Sequence, residues 1–115
     1  MMIPDWTEEF PGAITVCDAG GRITAMNRRS VETFAADGGA ALVGANVLDC
    51  HPEPARAKLR SLLESGRTNV YTIEKGGRRK LIYQAPWFRG GEFAGLVELS
   101  IEIPRELPHF DRDKS

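Results

Sequence analysis

Cys50 and His51 are adjacent, and Pro52 and Pro54 follow them at the expected mouth of a helix. A neighbouring imidazolium and a helix N-terminus both lower a thiol's pKa, so Cys50 could act as a redox switch. A hydrolase would also need an acid partner. Asp49 is next in sequence, and adjacent side chains do not meet in the geometry such a triad requires. No catalytic residue is therefore expected, and a buried structural Cys50 is the competing reading. The neutral imidazole of His51 could instead ligate haem iron, or it could fix the helix entrance by hydrogen bonds, with Pro52 setting the backbone. Zinc would need Cys17, Cys50, His51 and His109 to converge. Their spacing contains neither CxxC nor HxxxH, so no metal site is expected.

A second set of polar residues lies within apparent strands. Tyr71, Tyr83, Gln84 and Ser100 could face a cavity between a sheet and its helices, because ligand pockets are mostly apolar with a few placed polar groups. Tyrosine also buries well in an ordinary core if its hydroxyl finds a partner. A single bulge would exchange the faces, so sequence leaves their side of the sheet open. Cys17 sits among apolar strand residues and reads as a small buried side chain.

These residues need a scaffold, and the bulk numbers bound it. The 115 residues suit one domain with its own core. Hydrophobic residues make up 42% and charged residues 27%, the balance of a globular chain. A net charge of −1 argues against broad attraction to nucleic acid or to an anionic membrane. Arg78-Arg79-Lys80 is too short a basic run to change that and reads as a solvated turn. No segment approaches the ~18 apolar residues of a membrane span. The start, MMIPDWTEEF, lacks the pattern of a signal peptide. Cytoplasmic residence and reduced thiols are expected.

Along the chain, residues 3–10 predict a short helix, with Asp5 or Thr7 as caps and Trp6 and Phe10 packed on the sheet. Residues 13–17 and 22–26 predict a hairpin across Asp18-Ala19-Gly20-Gly21. Asn27 then caps a helix carrying Val31, Phe34 and Ala35, which ends at Asp37-Gly38-Gly39. Residues 40–51 are less regular. A longer helix follows Pro54, with Ala55, Leu59, Leu62 and Leu63 inward and Gly66 as its stop. Strands are predicted at 69–75, 79–88 and 93–103, with Gly-Gly turns between them. In the last, Phe93, Val97, Leu99, Ile101 and Ile103 should share a buried face, leaving Glu98, Ser100 and Glu102 on a wetter one. Trp87 and Phe88 should point to opposite faces, one filling the core and the other available to a dimer. Pro104 and Pro108 preclude a regular helix in the tail.

Two strands, helices and three strands, with PGAITVCDAGGRITAMN opening and LVELSIEIP closing, resemble the PAS sensor family over about residues 10–104. Asp18, Gly21 and Asn27 match its opening hairpin and first helix. Gly91 and Gly95 match the glycines bracketing its last hairpin, and Pro86 a frequent proline before it. The resemblance implies an α+β fold, a five-stranded antiparallel sheet with helices packed on one face. It divides the chain into an N-terminal helical cap (1–10), a sensor domain (11–104) and an extended C-terminal tail (105–115). It also implies a non-catalytic sensor with a small-molecule ligand, a homodimeric state and a signalling partner in trans, with no nucleic acid or membrane partner. The cofactor stays open. NVLDCHPEPAR, residues 46–56, resembles a bacterial subgroup with a Cys-His-Pro element. Glu102-Ile103-Pro104 stands where the family has Asp-Ile-Thr leading to a signalling helix, so a free-standing domain is expected. Haem sensors of the family carry their histidine on the long helix, whereas His51 precedes it. The light-sensing branch has a flavin-reactive cysteine where Val47 stands, which argues against that chemistry.

Overall fold

The protein is described by a computed structural model covering residues 4–113. Of the expected cap and tail, residues 1–3 and 114–115 lie outside the described residues. The elements are α1 (Asp5–Glu8), β1 (Ala13–Asp18), β2 (Ile23–Met26), α2 (Arg28–Thr33), 3-10 turns at Ala35–Asp37 and Gly39–Leu42, α3 (Ala55–Ser65), β3 (Asn69–Lys75), β4 (Arg78–Arg89) and β5 (Glu92–Ile103). The strands form one five-stranded antiparallel sheet in the order β2-β1-β5-β4-β3. The first and last hairpins thus meet at the centre, where β1 pairs with β5.

Asn27 is the local organiser. It is fully buried, and its side chain makes every bond it can make well. Its Oδ1 accepts from the Ser30 N–H at 3.0 Å and the Ile14 N–H at 2.9 Å. Its Nδ2 donates to the carbonyls of Thr7 at 2.8 Å and Gly12 at 2.9 Å. One side chain therefore caps α2, completes β1 and ties down the end of α1. At its far end, α3 stops at Gly66, whose φ of 64° is the left-handed conformation glycine adopts without penalty.

Helix α3 lays Leu62 on Cys17 and Leu96, with Val47, Leu63 and Phe93 around them. Leu62 is 1% exposed, and burial of this kind contributes about 1.5–3 kcal/mol. The less regular segment before α3 extends the sheet edge. Gly44 donates to Ile23, and Ile23 and Val47 donate to Ala45 and Gly21, each at 2.8 Å. This covers β2 so that it does not present an open edge.

Register assigns the two sheet faces. Thr15, Gln84, Glu98 and Asn69 share one transverse row, and Ile14, Leu99, Tyr83 and Val70 share the next. The first row faces the helices; the second lies on the outer face. The expected polarity of β5 is therefore reversed. Glu98 and Ser100 point under the helices, while Val97, Leu99, Ile101 and Ile103 lie outside and are only half-buried. Phe93 leaves that set, because the register shift at Trp87/Phe88 turns it toward Leu62. Trp6 is also not a core residue. It is 68% exposed and meets Phe10 edge-on at 6.1 Å. Pro4, not Asp5 or Thr7, occupies the N-cap position of α1.

Gly95 marks the tightest approach in the sheet. A Cβ there would lie 1.9 Å from the Cys17 carbonyl oxygen. That carbonyl accepts from the Trp87 indole Nε1 at 3.0 Å. Trp87 is thereby held, and Phe88 is left 58% exposed against Phe93.

Candidate functional site

A cleft opens between the inner sheet face and the segment from α2 to α3. Its inner lobe, about 370 Å³, is lined mainly by apolar side chains that include Ile23, Met26, Leu59 and Leu96. An outer lobe of about 550 Å³ reaches Tyr71, Ile73, Ser100 and the lysines Lys58, Lys75 and Lys80. Phe34, Asp37, His51, Leu59, Gln84 and Glu98 line both, so the lobes are parts of one cleft.

The strand alternation builds its polar floor. Gln84 is 7% exposed. Its carbonyl accepts from Asn69 Nδ2 at 2.8 Å, and its amide nitrogen donates to Glu98 Oε2 at 2.7 Å. On the next strand of the same row, Thr15 bonds the Ser30 hydroxyl of α2. Tyr71 stands beside this floor. Burial raises its hydroxyl pKa above the ordinary value, and the Glu98 carboxylate raises it further.

His51 lies half-buried where the lobes meet. Its Nδ1 is 2.7 Å from the Val47 carbonyl. A carbonyl only accepts, so Nδ1 donates to it, and in the neutral ring Nε2 keeps its lone pair. The His51 carbonyl in turn accepts from Arg56 Nε at 3.0 Å, a main-chain contact at the entrance to α3.

The cleft thus brings together His51, Tyr71, Gln84 and Ser100. Tyr83 is not among them. Register sends it to the outer face, 39% exposed and opposite Leu99. Cys50 lines the inner lobe but is exposed, not buried in the core. Cys17, across the lobe, is buried as expected. Burial raises its thiol pKa most; a hydrogen bond with the Leu96 backbone opposes that, and Asp18 and Glu98 add to it. Glu98 and Asn69 are site residues that sequence reasoning passed over. The available signal was polar residues alternating in three strands at positions that register later aligned. Among the described residues, no group of three or more His, Cys, Asp or Glu side chains converges as a metal site. Nor, among them, is any helix long and apolar enough to cross a membrane.

A family model for the PAS fold matches residues 7–105. The chain belongs to the PAS-fold family, whose members are typically sensory and signalling modules. Solved structures agree on the fold. A C-terminal domain from Streptococcus mutans superposes with a TM-score of 0.70 at 19% identity, covering 84% of this chain and 79% of that one. The PAS domain of BvgS from Bordetella pertussis gives 0.64 at 24% identity, covering 87% and 82%. The Aer2 receptor from Vibrio cholerae, described as a dual PAS-heme oxygen sensor, gives 0.60 at 18% identity, covering 81% and 95%. No curated protein matches the sequence.

Proposed function

We propose that this chain is a non-catalytic cytoplasmic PAS sensor. It takes a small organic molecule into the cleft and passes its occupancy on by self-association or to a signalling partner in trans. The observation that carries this reading is the cleft itself. An apolar lobe of about 370 Å³ with a few converging polar groups falls within the size and character of small-molecule sites. His51, Tyr71, Gln84 and Ser100 are the proposed contacts. The route outward is the sheet. Glu98 on the inner face and Leu99 on the outer are consecutive residues of β5, so a shift of the strand moves both. Val70, Tyr83 and Phe88 are exposed apolar residues on this part of the molecule, and such surface favours a partner. That assigns Tyr83 to a homodimer contact and not to the ligand.

The test is an absorption spectrum with a native mass of the purified protein. A mass excess matching a small molecule, on a dimer that Tyr83→Glu dissociates, is the expected result. A monomer at every concentration, with no ligand retained or accepted, overturns the reading.

A haem sensor is the second reading, favoured by the His51 geometry. With Nδ1–H on the Val47 carbonyl, the neutral ring would have its Nε2 lone pair free for a metal. His51 would be the axial ligand, and haem would supply gas or redox chemistry. The sign is a haem absorption band on reconstitution that disappears in His51→Ala. A thiol switch at Cys50 is a third reading, favoured by its exposure beside the cleft. Cys50 alkylating no faster than a free thiol near neutral pH excludes it.

A further inference from the structure

The polar floor is directional, and its direction selects a ligand. Asn69, Gln84 and Glu98 lie side by side across β3, β4 and β5. The carboxylate fixes the chain of bonds because it can only accept. Gln84 must therefore turn its NH₂ toward Glu98 Oε2, and its carbonyl then faces the Asn69 amide. The Gln84 amide is thereby locked at both ends. Oε2 of Glu98 is engaged, but Oε1 has no hydrogen-bond partner among the described residues. Nor, among them, does any Arg, Lys or His form an ion pair with Glu98. Glu98 is half-buried and lines both lobes.

A ligand filling the inner lobe would strip water from this carboxylate. A half-desolvated carboxylate without a cation is costly, and the cost is offset only by a partner that donates. The adjoining surface is apolar: Met26, Leu59 and Leu96. We propose that the ligand is an organic cation, an apolar body bearing a protonated amine or amidine nitrogen that donates to Glu98 Oε1. This rests on the cleft being a ligand site. Charge-assisted hydrogen bonds of this kind are roughly twice as strong as neutral ones. The competing charge preference would come from Lys58, Lys75 and Lys80, which line only the outer lobe; Lys58 and Lys75 are exposed to water. An anion would sit among them and leave Glu98 unpaired.

Three probes of similar size separate these cases: phenethylamine, 2-phenylethanol and 3-phenylpropionate. Each is titrated into the whole chain, with backbone amide NMR shifts as the readout. The amine is expected to bind roughly tenfold tighter than the alcohol, because both can donate to the carboxylate but only the amine brings a positive charge to it. The carboxylate should bind most weakly. Glu98→Gln should abolish the amine's advantage over the alcohol. In the wild-type protein, the Glu98 carboxyl carbon resonance should move further with the amine than with the alcohol; this keeps the test decisive if the variant does not fold. Equal binding of amine and alcohol within the cleft, or tightest binding of the carboxylate, overturns the organic-cation inference and leaves the ligand-site reading standing. No shift at cleft residues with any probe at millimolar concentration overturns both.

Discussion

Replacing Asn27 tests whether one buried amide joins the N-terminal segment to the sheet. Asn27→Ala removes the partner of two N–H groups, Ile14 and Ser30, and of two carbonyls, Thr7 and Gly12. A buried polar group that loses its partner costs about 1–3 kcal/mol. Loss of the helix cap alone costs about 1 kcal/mol. Water entering the vacated volume will rescue some of these groups, so the total should be about 3–5 kcal/mol and not the full sum. That is a large share of the ~5–15 kcal/mol that holds a domain together. Asn27→Asp is the sharper control. It keeps the shape and both accepted bonds but presents a buried carboxylate to two carbonyls. It should cost nearly as much as alanine, although aspartate is an excellent cap on an exposed helix. Urea unfolding followed by circular dichroism gives both values, with an unchanged slope confirming that the unfolded state is the same. If Asn27→Ala costs less than about 1 kcal/mol, as a surface change would, the bonds to Thr7 and Gly12 contribute nothing and the reasoning fails.

Gly95→Ala should abolish folding or cost about 3 kcal/mol or more, because its Cβ would overlap the Cys17 carbonyl at 1.9 Å and φ is 149°. Gly44→Ala, with nothing within 4 Å and a φ of 98°, should cost only the backbone strain of about 1–2 kcal/mol; equal losses in urea would refute the contact. A disulfide reagent should titrate one thiol per native chain, Cys50, and reach buried Cys17 only on unfolding; two fast thiols would place Cys17 elsewhere. Burial raises the Cys17 pKa above its ordinary 9.0, so the folded state keeps a proton that the unfolded chain gives up. Stability from this group is therefore complete below about pH 9 and falls above it, by up to about 1.4 kcal/mol per pH unit. Cys17→Ala should flatten that fall in melts between pH 8 and 11, values chosen around the ordinary ~9 of the thiol; an unchanged slope would mean another group carries it.

Element types and order were legible in the sequence because they depend on local chemistry. β-Branched runs and Gly-Gly turns placed all five strands. Asn27 and Gly66 marked helix ends because a cap needs only the neighbouring backbone N–H groups or a positive φ. The apolar stripe of α3 was equally plain: Leu59 and Leu62 are buried. What the sequence could not carry was the side of the sheet that each strand residue takes. Alternation in β5 separated Val97, Leu99 and Ile101 from Glu98 and Ser100, and hydrophobicity alone put the first set inside.

Tertiary structure decided the opposite. The helices cover the face bearing Glu98, where Asn69, Gln84 and Thr15 from three other strands align with it. That alignment depends on register between segments up to 83 residues apart, Thr15 and Glu98, and on the shift at Trp87/Phe88. A polar residue is tolerable under a helix layer only when others arrive to bond it, and those partners come from elsewhere in the chain. The cleft and its carboxylate are therefore properties of the assembled sheet, whereas the strands that build it were already written residue by residue.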